Sequence, residues 1–112
     1  MQIDQSKIGE VTVITLNGDL DSNSGGNLKE RFGKLFNEGV YEIIVDLRQV
    51  PFMDSAGLGH LVNALKMCVH HKGNLMLVGA NESIVDLLRI TRLDTIFRVY
   101  DSPEEAAVAF LP

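Results

Sequence analysis

The chain alternates short apolar runs with stretches whose apolar residues recur every three or four positions, and that alternation sets out its elements. Residues 3–8 and 11–16 flank Gly9-Glu10. The second run, Val11-Thr12-Val13-Ile14-Thr15-Leu16, is rich in β-branched residues, so the pair predicts a hairpin. Asn17 to Asn27 is a run of turn formers interrupted by Leu20, which predicts a loop with one residue turned inward. From about Gly26, Leu28, Phe32, Leu35 and Phe36 fall on one face of a helix that Gly39 stops.

Tyr41-Glu42-Ile43-Ile44-Val45-Asp46-Leu47 contains three apolar residues in a row, the mark of a strand buried on both faces near the middle of a sheet. Then comes Val50-Pro51-Phe52-Met53-Asp54-Ser55-Ala56-Gly57-Leu58-Gly59. Pro51 cannot extend a strand ladder, and Asp and Ser are capping residues, so a helix starts at Asp54-Ser55. Leu58, Leu61, Val62, Leu65, Cys68 and Val69 give its apolar face, and it ends near Lys72-Gly73. Residues 74–79 predict another buried strand, Asn81-Glu82-Ser83 a helix start with Ile84, Leu87 and Leu88 inside, and residues 95–100 a last strand. Ser102-Pro103-Glu104-Glu105 then opens a final helix with a cap, a proline in the first turn and two acids. A hairpin followed by three strand–helix alternations predicts an α/β domain over residues 1–112, with an open mixed sheet of four to five strands and about four packed helices. Functional groups in such sheets gather at the carboxyl ends of strands, which predicts that the loop after Leu16 and the segment after Leu47 are neighbours.

Charge and composition narrow the function. Ten Lys and Arg against fifteen Asp and Glu give a net charge of −5, which disfavours nucleic acid and favours a protein partner or a small ligand. One cysteine, Cys68, permits no internal disulfide, and no stretch approaches the length of a signal peptide or membrane span. A cytoplasmic protein without membrane insertion is expected.

The chemistry-bearing residues divide unevenly. A hydrolase elbow would place glycines on both sides of Ser55, but its two-before position is Met53. His60 projects along the helix, and nothing in the pattern orients it as a base, so no enzyme and no catalytic residue are expected. His70 and His71 diverge on a helix, and His60 lies three turns from His71, so no metal is expected. Gly18, Gly25 and Gly26 match no dinucleotide or phosphate fingerprint, so no cofactor is expected. Asp19 and Asp21 read as turn residues, and Cys68 as a core residue. For Asp54-Ser55, a plain helix cap and a functional hydroxyl remain open on residue physics alone. Phe52 and Met53, apolar residues in a segment that must turn at the surface, favour a docking face beside a modifiable hydroxyl.

These residues are recognisable. Val45-Asp46-Leu47 followed by Phe52-Met53-Asp54-Ser55-Ala56-Gly57-Leu58-Gly59 resembles the signature of the bacterial anti-sigma factor antagonists of the STAS domain family. Gly18-Asp19-Leu20-Asp21 resembles the family's Gly-Glu-Leu-Asp loop, and Gly73 to Gly79 its fourth strand. The resemblance implies a motif serine, here Ser55, phosphorylated by a partner anti-sigma factor that is also a serine kinase. The unmodified form binds that factor and frees the sigma factor, the phosphorylated form does not bind, and a serine phosphatase restores it. Asp21, Phe52, Met53, Asp54, Ser55, Gly57 and Leu58 are the partner-binding residues so implied. Ala56 stands where many relatives have a second Ser or Thr, which leaves Ser55 the sole acceptor in the motif. STAS domains also serve as stressosome scaffolds and as accessory subunits of lipid transporters, the alternative that the resemblance leaves open.

Overall fold

Successive strands pair in chain order. The structure, a computed structural model, describes residues 1–111 and contains β1 (Gln2–Ile8), β2 (Val11–Asn17), α1 (Gly25–Asn37), β3 (Glu42–Gln49), α2 (Ser55–His70), β4 (Asn74–Val78), α3 (Glu82–Ile90), β5 (Val99–Tyr100) and α4 (Pro103–Ala109). The sheet order is β1-β2-β3-β4-β5, with β1 antiparallel to β2 and the rest parallel. Parallel neighbours need a crossover, and right-handed crossovers advancing in one direction carry their helices to one side. Accordingly α1, α2 and α3 share one face of the sheet, burying Leu28, Leu35, Leu61, Cys68, Ile84 and Leu88 against Ile14, Val45 and Leu77. The opposite face, with Val13, Ile44, Met76 and Val78, is covered by α4 through Ala106.

This is the five-stranded mixed sheet with four helices that the pattern predicts, with β3 at its centre. Ile43, Ile44 and Val45 are all fully buried, because consecutive side chains point to opposite faces and each face has its own helical cover. Asp46 is the buried charged residue of that strand, and its carboxylate accepts the Arg48 backbone N–H at 3.0 Å, Arg48 Nε at 3.0 Å and Arg48 Nη2 at 2.7 Å. A carboxylate so enclosed is held by a bidentate guanidinium partner.

Two expectations are corrected. The last strand is not residues 95–100 but Val99–Tyr100, because Arg92 takes a left-handed conformation and Leu93–Thr95 form a 3₁₀ turn. The Ile96 and Phe97 amides both donate to the Leu93 carbonyl, which keeps the backbone bonds local while Phe97 is driven into the core. On α2, Val69 is 55 % exposed and Val62 only half-buried, whereas Ala64 is buried. The helix presents positions 58, 61, 64, 65 and 68 inward, a narrower stripe than the apolar residues alone suggest.

Candidate functional site

The carboxyl ends of β2 and β3 carry two segments, residues 18–24 and 50–54, that continue the pairing of those strands after an interruption. The ladder shifts register between Thr15 and Asn17, then resumes as Gly18 N–H to Gln49 C=O at 3.0 Å, Leu20 N–H to Phe52 C=O at 2.9 Å and Asp54 N–H to Leu20 C=O at 3.2 Å. Leu20 and Met53 form the resulting parallel bridge, and both side chains are buried. Alternation along the extended chain then sends Phe52 outward at 47 % exposure. The two loops are therefore neighbours, as their places at the strand ends predict.

Asp54 supplies the cap of α2. Its backbone is extended (φ −105°, ψ −179°), and its Oδ1 accepts the Gly57 N–H at 2.9 Å. Ser55 is consequently the first helical residue, not the capping one, and its side chain is exposed. Gly57 sits flush against the Leu20 carbonyl; a β-carbon there would overlap it. That contact, with the bridge, seats the residue 18–24 loop on the first turn of α2.

Within that loop Asp21 folds back on its own backbone. Its Oδ1 accepts the N–H groups of Asn23 at 2.9 Å and Ser24 at 3.1 Å, while Ser24 Oγ accepts the Asp21 N–H at 3.0 Å and donates to the Asp19 carbonyl at 2.7 Å. The Ser24 amide and then the Asn23 amide hold the Asp21 carboxyl below the usual carboxylate range. The loop is thus shaped by its own hydrogen bonds and keeps its negative charge.

Of the residues expected at the docking face, Asp21, Phe52, Asp54 and Ser55 are at least partly exposed. Met53 and Leu58 are only 4 % and 2 % exposed, and Gly57 is buried. These three lie beneath the exposed four. The reading of the sequence missed two supports. The Asn81 side chain caps α3 by accepting the Ile84 N–H at 2.9 Å and also donates to the Pro51 carbonyl at 3.1 Å, so one amide joins α3 to the segment that carries Phe52. His60 packs onto Gly25 so closely that any side chain at 25 would overlap its ring, joining α2 to the start of α1. A capping Asn before Glu82 was visible in the sequence; its second bond, 30 residues away in the chain, was not.

His71 lies at the far end of α2, stacked on Tyr41 with centroids 3.9 Å apart and its Nδ1 3.0 Å from the Met67 carbonyl. Among the described residues no three His, Cys, Asp or Glu side chains are grouped to hold a metal ion, and no helix is long and apolar enough to cross a membrane.

The family model for the STAS domain matches residues 2–106. The chain belongs to the STAS domain family. An anti-sigma-B factor antagonist of Staphylococcus epidermidis is 33 % identical over 91 residues, which cover 81 % of this chain and 84 % of that protein. The crystal structure of TM1081 from Thermotoga maritima superposes with a TM-score of 0.91 at 29 % identity, covering 96 % of this chain and 93 % of that one. The Bacillus cell fate determinant SpoIIAA, solved in its phosphorylated form, shares the fold, with a TM-score of 0.75 at 22 % identity over 96 % of this chain and 97 % of that one. The STAS signature of this chain thus lies where its two strand-end segments meet.

Proposed function

We propose that this chain is an anti-sigma factor antagonist switched by phosphorylation of Ser55. The observation that carries the reading is the division of labour at the start of α2: Asp54 caps the helix, which leaves the Ser55 hydroxyl exposed beside Phe52 and the Asp21 loop. The name of the Staphylococcus relative and the phosphorylated form of SpoIIAA support it.

In this reading the unmodified protein binds an anti-sigma factor through Asp21, Phe52, Asp54 and Ser55, with Met53, Gly57 and Leu58 shaping the surface from below, and the sigma factor is released. The anti-sigma factor is also the kinase. Ser55 Oγ attacks the γ-phosphorus of its bound ATP, the bond to the β-phosphate oxygen breaks, ADP leaves and the hydroxyl proton is lost to solvent. A phosphatase reverses the modification by hydrolysis. The chain itself is non-enzymatic and acts in the bacterial cytoplasm.

The physics of the site suits both states. A phosphate adds about −1.5 to −2 charges at the first residue of a helix, where amide groups and the macrodipole tolerate it, so the fold survives. The same charge arrives on a face that already carries Asp21 and Asp54, so repulsion and desolvation oppose docking of the partner surface that fitted the neutral hydroxyl. Incubation with the cognate anti-sigma factor and ATP, followed by mass spectrometry, tests the first step; calorimetry with Ser55→Asp tests the second. Phosphate on Ser55 and a loss of affinity in Ser55→Asp are expected. Equal binding by Ser55→Asp and wild type would instead indicate a constitutive scaffold of the stressosome or lipid-transporter kind.

A further inference from the structure

An open groove of about 280 Å³ runs between α1 and α2. Phe32, Phe36, Ala64 and Met67 form its apolar floor, and Lys29 and His60 stand at one end. Both helices are crossovers between parallel strands and so run the same way; the contact of His60 with Gly25 marks the end at which both begin. Ser55 lies five residues before His60 on α2. The groove therefore opens at the surface that carries the proposed switch and leads away from it.

The floor is kept open at a cost to the helix. Gly33 lies in the interior of α1, where glycine is a poor helix former, yet a β-carbon on it would meet nothing within 4 Å. Packing does not require it, in contrast to Gly25 and Gly57. Beside it Met67 is 41 % exposed and Phe36 half-buried, so a flexible thioether and an aromatic ring face solvent together.

Charge selects the occupant. No carboxylate lines the groove and Lys29 does, whereas Arg31 and Lys34 face a separate hollow beside Ile3 that Glu30 shares, in a chain with ten basic and fifteen acidic residues. In a chain of net charge −5, a carboxylate on a partner finds in this groove a lysine and no opposing acid. The groove spans Lys29 to Phe36 and His60 to Met67, two helical turns or about 10 Å on each wall, which matches a helix seated by apolar residues at i, i+3 or i+4 and i+7. We infer that the groove receives an acidic amphipathic helix of the anti-sigma factor, its apolar side on Phe32, Phe36, Ala64 and Met67 and a carboxylate against Lys29. This rests on the function proposed above and adds to it a second contact, which gives the antagonist a means of choosing its partner independently of Ser55.

The test is calorimetric titration of the purified cognate anti-sigma factor into wild type, Gly33→Leu, Lys29→Glu, Lys29→Arg and Ser55→Asp. Gly33→Leu fills the groove from a position with free space and replaces a helix glycine by a good helix former, so its thermal unfolding is expected at or above the wild-type temperature. Gly33→Leu and Lys29→Glu are each expected to weaken binding by about tenfold or more, whereas Lys29→Arg stays within about twofold. Wild-type affinity in both Gly33→Leu and Lys29→Glu, with Ser55→Asp still impaired, overturns the groove while leaving the proposed function intact. No binding by wild type overturns both. A concentration-dependent dimer of wild type that Gly33→Leu abolishes in sedimentation assigns the groove to a second copy of this chain and likewise overturns the inference.

Discussion

Gly57 lies against the carbonyl of Leu20 with no room for a β-carbon between them. The contact joins the first turn of α2 to the loop after β2, two segments that the sequence separates by more than 30 residues. Gly57→Ala gains helix propensity but must push the Leu20 backbone away, which also loads the Leu20–Met53 bridge. A net loss of about 1–3 kcal/mol is expected in urea unfolding, the cost of overpacking a filled site. A neutral or stabilising result would show that the loop yields freely.

The cap and the switch are adjacent residues with separable roles. Asp54→Ala removes the acceptor of the Gly57 N–H and should cost about 0.5–2 kcal/mol, whereas Ser55→Ala, at an exposed position with no capping bond, should stay within about 0.5 kcal/mol of wild type. Chemical denaturation of both variants distinguishes the two residues; the reverse order would mean that Ser55 is the cap.

Lys72 follows the last turn of α2 with φ +65°, a left-handed conformation that suits glycine. Glycine stands one residue later, at Gly73, because there a β-carbon would overlap the Tyr41 carbonyl. The Gly73 N–H still closes the helix on the Cys68 carbonyl at 2.8 Å. Lys72→Gly should therefore stabilise the protein by about 1 kcal/mol, read as a raised midpoint in thermal unfolding. Gly73→Ala should do the opposite.

Acid should loosen the Asp21 loop. Its carboxyl titrates below the ordinary value of 3.8 when folded, chiefly through the Ser24 amide and then that of Asn23. A depressed folded pKa contributes stability that is present above the unfolded value and lost as pH falls through the folded one. Wild type should thus be more stable than Asp21→Ala at neutral pH, and the gap in melting temperature should narrow below about pH 4. A gap independent of pH would assign the effect to packing alone.

Cys68 is fully buried, and burial pushes its thiol up to about 12. Thiol reagents at pH 8 should leave the native protein unmodified and react stoichiometrically in denaturant, so the native labelling rate reports opening of the core. Rapid labelling of the folded chain would sink that view.

The sequence legible as local pattern proved legible as structure. The triplet Ile43-Ile44-Val45 marks the central strand, Ser102-Pro103-Glu104-Glu105 opens α4, and Asp54-Ser55 opens α2, because period, capping and turn chemistry act over a few residues. Failures fell where distant parts compete for one residue. Thr95 to Arg98 have strand propensity, but anchoring Phe97 in the core turns that stretch, and Val69 is apolar yet stays exposed on α2.

Chain order, fold class and the position of the exposed serine were thus set by residue types and their spacing. Tertiary structure alone decided which of Asp54 and Ser55 caps, that Met53 and Leu58 lie under the surface while Phe52 stands on it, that Asn81 braces the site from α3, and that His60 braces α2 against the start of α1. Those outcomes depend on the register of β2 against β3 beyond Thr15 and on contacts between residues about 30 apart, where backbone hydrogen bonding and close packing, not local propensity, determine which atoms meet.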